Sequence, residues 1–134
     1  MKTTIWLLRA AQGAGKSFTA NKLLQLPDSI VCCADDYFMV DGKYKFDGSK
    51  LKYAHQECQR KFIAALDFGK ENIIVSNCNA KERDYNFYIE AAKQYGAILI
   101  SLVVENRHGG KNVHGCDESI VNRVRESIKN SLSL

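Results

Sequence analysis

Four short apolar runs, TIWLLR, SIVCCA, NIIVSN and AILISLVVE, recur along the chain with longer amphipathic segments between them. Runs this short and this continuously apolar suit strands covered on both faces, the condition of a parallel sheet. The segments between them have helical length and helical stops. One runs from Lys16 to Leu26 and ends near Pro27; the next runs from Lys50 to Phe68 and ends at Gly69. A third runs from Lys81 to Tyr95 and ends at Gly96, and a last one starts at about Asp117. Asn79 with Glu82 fits a capping box, and Asp117 can cap the final helix. Parallel strands joined through helices cross over right-handedly, so the pattern predicts a doubly wound α/β sheet. At 134 residues, with no repeat, linker or low-complexity tract, residues 1–134 read as one domain with one active centre.

Composition removes several classes of protein. The apolar opening IWLL is ended by Arg9 after four residues, shorter than the 7–15 that a signal peptide needs, and no apolar run approaches the ~20 residues of a membrane span. Five cysteines, Cys32, Cys33, Cys58, Cys78 and Cys116, form an odd set without a C-x-x-C pair. That pattern favours reduced, mostly buried thiols in a cytoplasmic protein over disulfides or a zinc site. A net charge of +4 is compatible with anionic partners such as nucleotides or nucleic acid.

The junction of the first strand and first helix reads RAAQGAGKS, close to the phosphate-binding pattern G-x-x-x-x-G-K-[ST] with Ala10 at the first glycine. At a helix N-terminus, free backbone N–H groups and the positive end of the macrodipole face an anion. The expected nucleotide-binding residues are Gln12, Gly13, Ala14, Gly15, Lys16, Ser17 and Phe18. Lys16 would bridge the β- and γ-phosphates and Ser17 would hold Mg²⁺. Ala10 is the smallest replacement for the missing glycine, placed where a methyl group at a strand end can be tolerated.

Three further clusters fall on the same rim of the predicted sheet. ADDYF ends the second strand, and one of its aspartates, Asp35 or Asp36, can take a proton from an attacking hydroxyl. SNCNA ends the third strand without the acid that a metal site would use; Ser76 and Asn77 can hydrogen-bond a metal-bound water or a substrate, and Asn79 reads as a helix cap. NRHGGKNVHGCDES, glycine-rich and basic, precedes the last helix and suits a lid carrying Arg107 or Lys111 over the phosphates. His108 and His114 do not have a metal-ligand spacing.

The order of RAAQGAGKS, ADDYF, YKFDGSKLKYAHQEC, IIVSNCNA and KNVHGCDESI resembles the small P-loop kinase family that includes the phage polynucleotide 5′-hydroxyl kinase domain and the kinase domain of NEDD4-binding protein 2. The resemblance implies a three-layer P-loop NTPase fold, with about four parallel strands ordered 2-3-1-4 and a lid before the C-terminal helix. It implies ATP and Mg²⁺, Lys16 and Ser17 in their loop roles, and Asp35 as the general base. The family's lid arginine falls on Lys111, keeping the charge and losing the bidentate fork. Asp36, Phe38, His55 and Asn77 fall on the acceptor side; Phe38 stands where the phage enzyme has arginine, and Asn77 where it has aspartate.

The expected activity is transfer of the ATP γ-phosphate to a hydroxyl, foremost the 5′-hydroxyl of a polynucleotide. A small-molecule kinase acting on a nucleoside or sugar is the near alternative. A nucleotide-binding module with weak ATPase activity is the other class, suggested by Ala10 and by the missing acid at Asn77. Oligomeric state is left open.

Overall fold

A computed structural model describes residues 2–109 and 115–134. Strand β1 (Thr4–Ala10) leads into α1 (Lys16–Leu23) and then β2 (Ser29–Cys32). A 3₁₀ turn over Ala34–Phe38 and a small hairpin, β3 (Met39–Val40) with β4 (Lys43–Tyr44), precede α2 (Leu51–Phe68). The remainder is β5 (Asn72–Ser76), α3 (Glu82–Tyr95), β6 (Ile98–Val104) and α4 (Glu118–Lys129). Four strands form one parallel sheet in the order β2-β5-β1-β6. With the hairpin strands set aside, this is the expected 2-3-1-4 order.

Side-chain alternation along β1 and β5 creates two cores, one on each face of the sheet. Ile5, Leu7, Ile73 and Val75 face α2 and α3, where Phe62, Leu66, Tyr85 and Tyr88 complete the larger core. Trp6, Leu8 and Ile74 face the opposite way, against Ala20 and Leu23 of α1. Because both faces are covered, polar alternation is absent and the strands read as the continuous apolar runs seen in the sequence.

Element boundaries depart from expectation in two places. Helix α1 stops at Leu23, three residues short of Leu26, because the chain tightens: Gln25 N–H bonds Lys22 O and Leu26 N–H bonds Leu23 O before Pro27. The capping box of α3 is displaced by two residues. Its N-cap is Lys81, whose backbone N–H donates to Asp84 Oδ2 at 3.2 Å, so Asn79 and Glu82 do not form it. Asp117 caps α4 as expected, accepting from Ser119 N–H at 2.8 Å.

The hairpin was not anticipated. Asp41 and Gly42 join its strands with φ of 51° and 77°, the pair of positive values that a type I′ turn demands. The Asp-Gly dipeptide between MV and KY was the available signal, weakened by strands only two residues long.

Candidate active site

The carboxyl ends of β1, β2 and β5 meet on one rim, and the segments leaving them carry the chemistry. The loop after β1 turns through Gly13 at φ 80° and Gly15 at φ 100°, a region that L side chains avoid. Gly15 is the N-cap of α1, with no side-chain cap on the helix, which leaves first-turn N–H groups for a ligand. Gln12 adds a second sign of a binding loop, since its Oε1 is buried with no hydrogen-bond partner among the described residues. Ala10 is fully buried at the end of β1, with its N–H on Cys78 O at 3.2 Å. Ser17 and Phe18 are exposed; the Phe18 ring lies outward with Lys22 Nζ 5.4 Å from its centroid, leaving its backbone for the loop.

Lys16 reaches across the rim to the segment after β5, where Nζ donates to Cys78 Sγ at 3.7 Å. On the other side Asp35 is half-buried and Asp36 exposed. The charges of Lys16 and Asp35 bear on the same two thiols. Burial pushes Cys33 up to about 11; the Asp35 charge adds to the rise and Lys16 partly offsets it. Cys78 is also raised by burial, with Lys16 opposing the shift and Asp35 reinforcing it. Lys16 and Asp35 therefore lie within electrostatic reach of the same two side chains. All five cysteines are free thiols. Among the described residues, no cluster of His, Cys, Asp or Glu could hold a metal ion.

The structure separates the remaining candidates. Asn77 is buried and already engaged: Oδ1 accepts from Ala34 N–H at 2.8 Å, and Nδ2 donates to Cys58 Sγ at 3.5 Å. It braces the turn that begins at Ala34. Ser76 is buried at the end of β5. Phe38 also points inward, packed against Tyr37, Tyr44 and Phe46 at centroid distances of 5.5, 6.2 and 5.1 Å. The chain thus has an apolar ring under the rim, unavailable for direct contact with an acceptor. His55 is partly exposed on the first turns of α2.

Asn79 is a structural pin with φ of 47°, donating through Nδ2 to Leu8 O at 2.7 Å. Its own carbonyl accepts from Arg9 Nε at 2.8 Å. Arg9, fully buried, also bonds Ser131 and Ala80 O and lies 4.8 Å from the Tyr85 ring centroid, so it ties the C-terminal end of the chain beneath the loop.

Between β6 and α4, Arg107 pairs with Glu105 at 2.8 Å and both side chains are exposed, a surface pair of small energetic weight. Lys111 and His114 lie outside the described residues. His108, considered in the sequence only as a metal ligand, is instead the residue that meets the loop: a methyl group added at Gly15 would lie 2.6 Å from its Cε1 and 2.9 Å from its Nε2. Beside it, residues from Val103 to His108 line an open groove of about 300 Å³. Two residues have a place at the site that the sequence does not assign them. Tyr44 donates to Asp35 Oδ1 at 3.2 Å, and Cys78 receives Lys16. Both stand in stretches that the sequence singles out, SNCNA and YKFDGSKLKYAHQEC, but the partner of each lies in another segment of the chain.

A glycine-turned loop between a central parallel strand and α1, a 2-3-1-4 sheet and covering helices on both faces define the P-loop kinase fold, and the chain resembles that family. The relatives agree. NEDD4-binding protein 2 of Homo sapiens is 26% identical over 136 residues, an alignment spanning 96% of this chain and 8% of that protein. A chain in the Pnkp1/Rnl/Hen1 RNA repair complex superposes with a TM-score of 0.75 at 16% identity, covering 98% of this chain and 45% of that one. The Mycobacterium tuberculosis APS kinase CysC Cys556Ala mutant gives a TM-score of 0.53 at 16% identity, with 98% of both chains covered. The chain thus spans under a tenth of the human relative and less than half of the repair-complex chain. No family model matches it.

Proposed function

We propose that the protein is an ATP-dependent kinase that phosphorylates the 5′-hydroxyl of a polynucleotide. The observation that carries this reading is the convergence of Lys16 and Asp35, a cation on the phosphate loop and a carboxylate from the neighbouring strand end, about the Cys33 and Cys78 thiols. The loop fits a nucleotide through its left-handed glycines, its uncapped helix N-terminus and the orphaned Gln12 oxygen. Residues Gln12 to Phe18 would wrap the phosphates and Lys16 would stabilise charge on the transferring group. Ser17 would hold Mg²⁺, which when bound neutralises phosphate charge.

Asp35 would accept the acceptor's hydroxyl proton as that oxygen forms a bond to the γ-phosphorus. The bond from the γ-phosphorus to the β–γ bridging oxygen breaks, and ADP leaves with the electron pair. Support for a polynucleotide acceptor is the likeness to a chain of an RNA repair complex together with the net charge of +4. The test is incubation with γ-labelled ATP, Mg²⁺ and a panel of 5′-hydroxyl DNA, 5′-hydroxyl RNA, nucleosides and sugars. The expected result is label at a polynucleotide 5′ end, lost in Lys16→Ala. Label on a small molecule alone would move the assignment to a small-molecule kinase, and absence of transfer would overturn the kinase reading.

A further inference from the structure

We infer that Tyr44 is a positioning residue for the Asp35 carboxylate, donating its phenolic hydrogen to Oδ1 at 3.2 Å and so reserving the other carboxylate oxygen for the acceptor hydroxyl. This inference rests on the kinase reading for its catalytic meaning, while the contact itself can be tested without catalysis.

The contact is supported by the packing on both sides of it. Lys45 N–H donates to Phe38 O at 2.8 Å, which straps the strand carrying Tyr44 to the 3₁₀ turn carrying Asp35. The Tyr44 ring is gripped by Phe38 edge-on at 6.2 Å and by Phe46 stacked at 6.5 Å with planes 21° apart. Asn77 fixes the start of the same turn through Ala34 N–H. A ring braced in this way holds its hydroxyl oxygen within reach of Asp35 Oδ1.

The chemistry of the phenol supports a donor role. Burial pushes Tyr44 up to about 12, and the charge and hydrogen bond of Asp35 add to the rise, so the proton stays on the phenol through the physiological range. Among the described residues, the charged and titratable groups about the pair include Lys16 from the loop, Asp36 from the same turn, Cys33 from the end of β2, Cys78 from the end of β5, and Cys116 from the segment before α4. A general base whose plane is locked loses less orientation on reaching the transition state, and a misplacement of about 1 Å can cost about 10²-fold in rate. Tyr44 also gives Phe38 a role, since its ring forms one wall of the tyrosine's socket.

The test is Tyr44→Phe, which keeps the ring and its two aromatic neighbours and deletes only the hydroxyl. The expected effect is a fall in kcat of about 5- to 50-fold with KM for ATP changed less than about twofold, and this fall should shrink to under about twofold in an Asp35→Asn background. In parallel, the protein is labelled with ¹³C at tyrosine Cζ, and the Tyr44 resonance is assigned by its disappearance in Tyr44→Phe. Asp35→Asn should move that resonance, and Asp36→Asn should leave it in place. Transfer by the parent with kcat unaffected by Tyr44→Phe overturns this inference alone. A Cζ resonance indifferent to Asp35→Asn overturns the contact. A resonance that moves in a parent without transfer supports the contact and overturns the kinase reading.

Discussion

Gly15→Ala separates the backbone demands of the loop from everything the loop binds. The residue sits at φ 100° and ψ 21°, outside the well that an alanine prefers even among left-handed conformations, and holding an L side chain there costs on the order of 1–3 kcal/mol. The added methyl group would also meet His108 at 2.6 and 2.9 Å, but both atoms belong to the far end of an exposed side chain, which can swing aside. The backbone contribution therefore dominates. Thermal unfolding followed by circular dichroism, in the absence of nucleotide, should show Gly15→Ala destabilised by about 1–3 kcal/mol, which for a chain of this size is about 4–11 °C in Tm. His108→Ala in the same background should recover less than about 1 kcal/mol, since it removes the clash and leaves the dihedral. Equal Tm for Gly15→Ala and the parent would refute the strained loop geometry, and full rescue by His108→Ala would show that the clash, and not the dihedral, sets the cost.

Three further outcomes are expected. Arg9→Met should lower stability by about 3–5 kcal/mol in chemical denaturation, because the carbonyls of Asn79, Ala80 and Ser131 lose a buried charged donor; a loss under about 1 kcal/mol would mean the guanidinium is not the anchor described. In phosphoryl transfer, Asp35→Asn should reduce kcat by about 10²- to 10⁴-fold with ATP affinity near normal, and Asp36→Asn should be the milder variant; the reverse ranking would transfer the role of base to Asp36. Bonds from the Ser119 hydroxyl and backbone N–H hold the Asp117 carboxyl below its ordinary range, so its contribution is present above its unfolded pKa of about 3.9 and is lost as pH falls through the lower folded value. Asp117→Ala should accordingly lower Tm at pH 7, with the gap to the parent narrowing as pH drops below about 3.9; a constant gap would rule out the ionised cap.

What the sequence determined by itself was everything encoded within one element or one junction. Hydrophobic runs specify strands because a strand buried on both faces must be apolar throughout, and Gly69 and Gly96 end helices where they were expected to. RAAQGAGKS announces the phosphate loop because turn, cation and helix start are neighbours along the chain. The 2-3-1-4 order came from resemblance, and the parallel pairing of β1 with β5 and β6 reproduces it.

What only the tertiary structure decided were the contacts between segments far apart in the chain. Asn79 looked like a cap because its neighbours in sequence suit one, yet its amide is consumed by Leu8 O, 71 positions away. Asn77 looked available to a ligand until Ala34 N–H, 43 positions away, claimed its oxygen. Phe38 looked like a rim residue because it follows the two aspartates, but at the end of the 3₁₀ turn its ring is buried against Tyr37, Tyr44 and Phe46, the last two brought to it by the hairpin and the segment after it. The meeting of Lys16 with Cys78, 62 positions apart, depends in the same way on β1 lying beside β5 in register. Local sequence sets the conformational preferences of a segment, but which donor reaches which acceptor is settled by the pairing of strands and the packing of helices, and a buried polar group takes the partner that the fold brings to it.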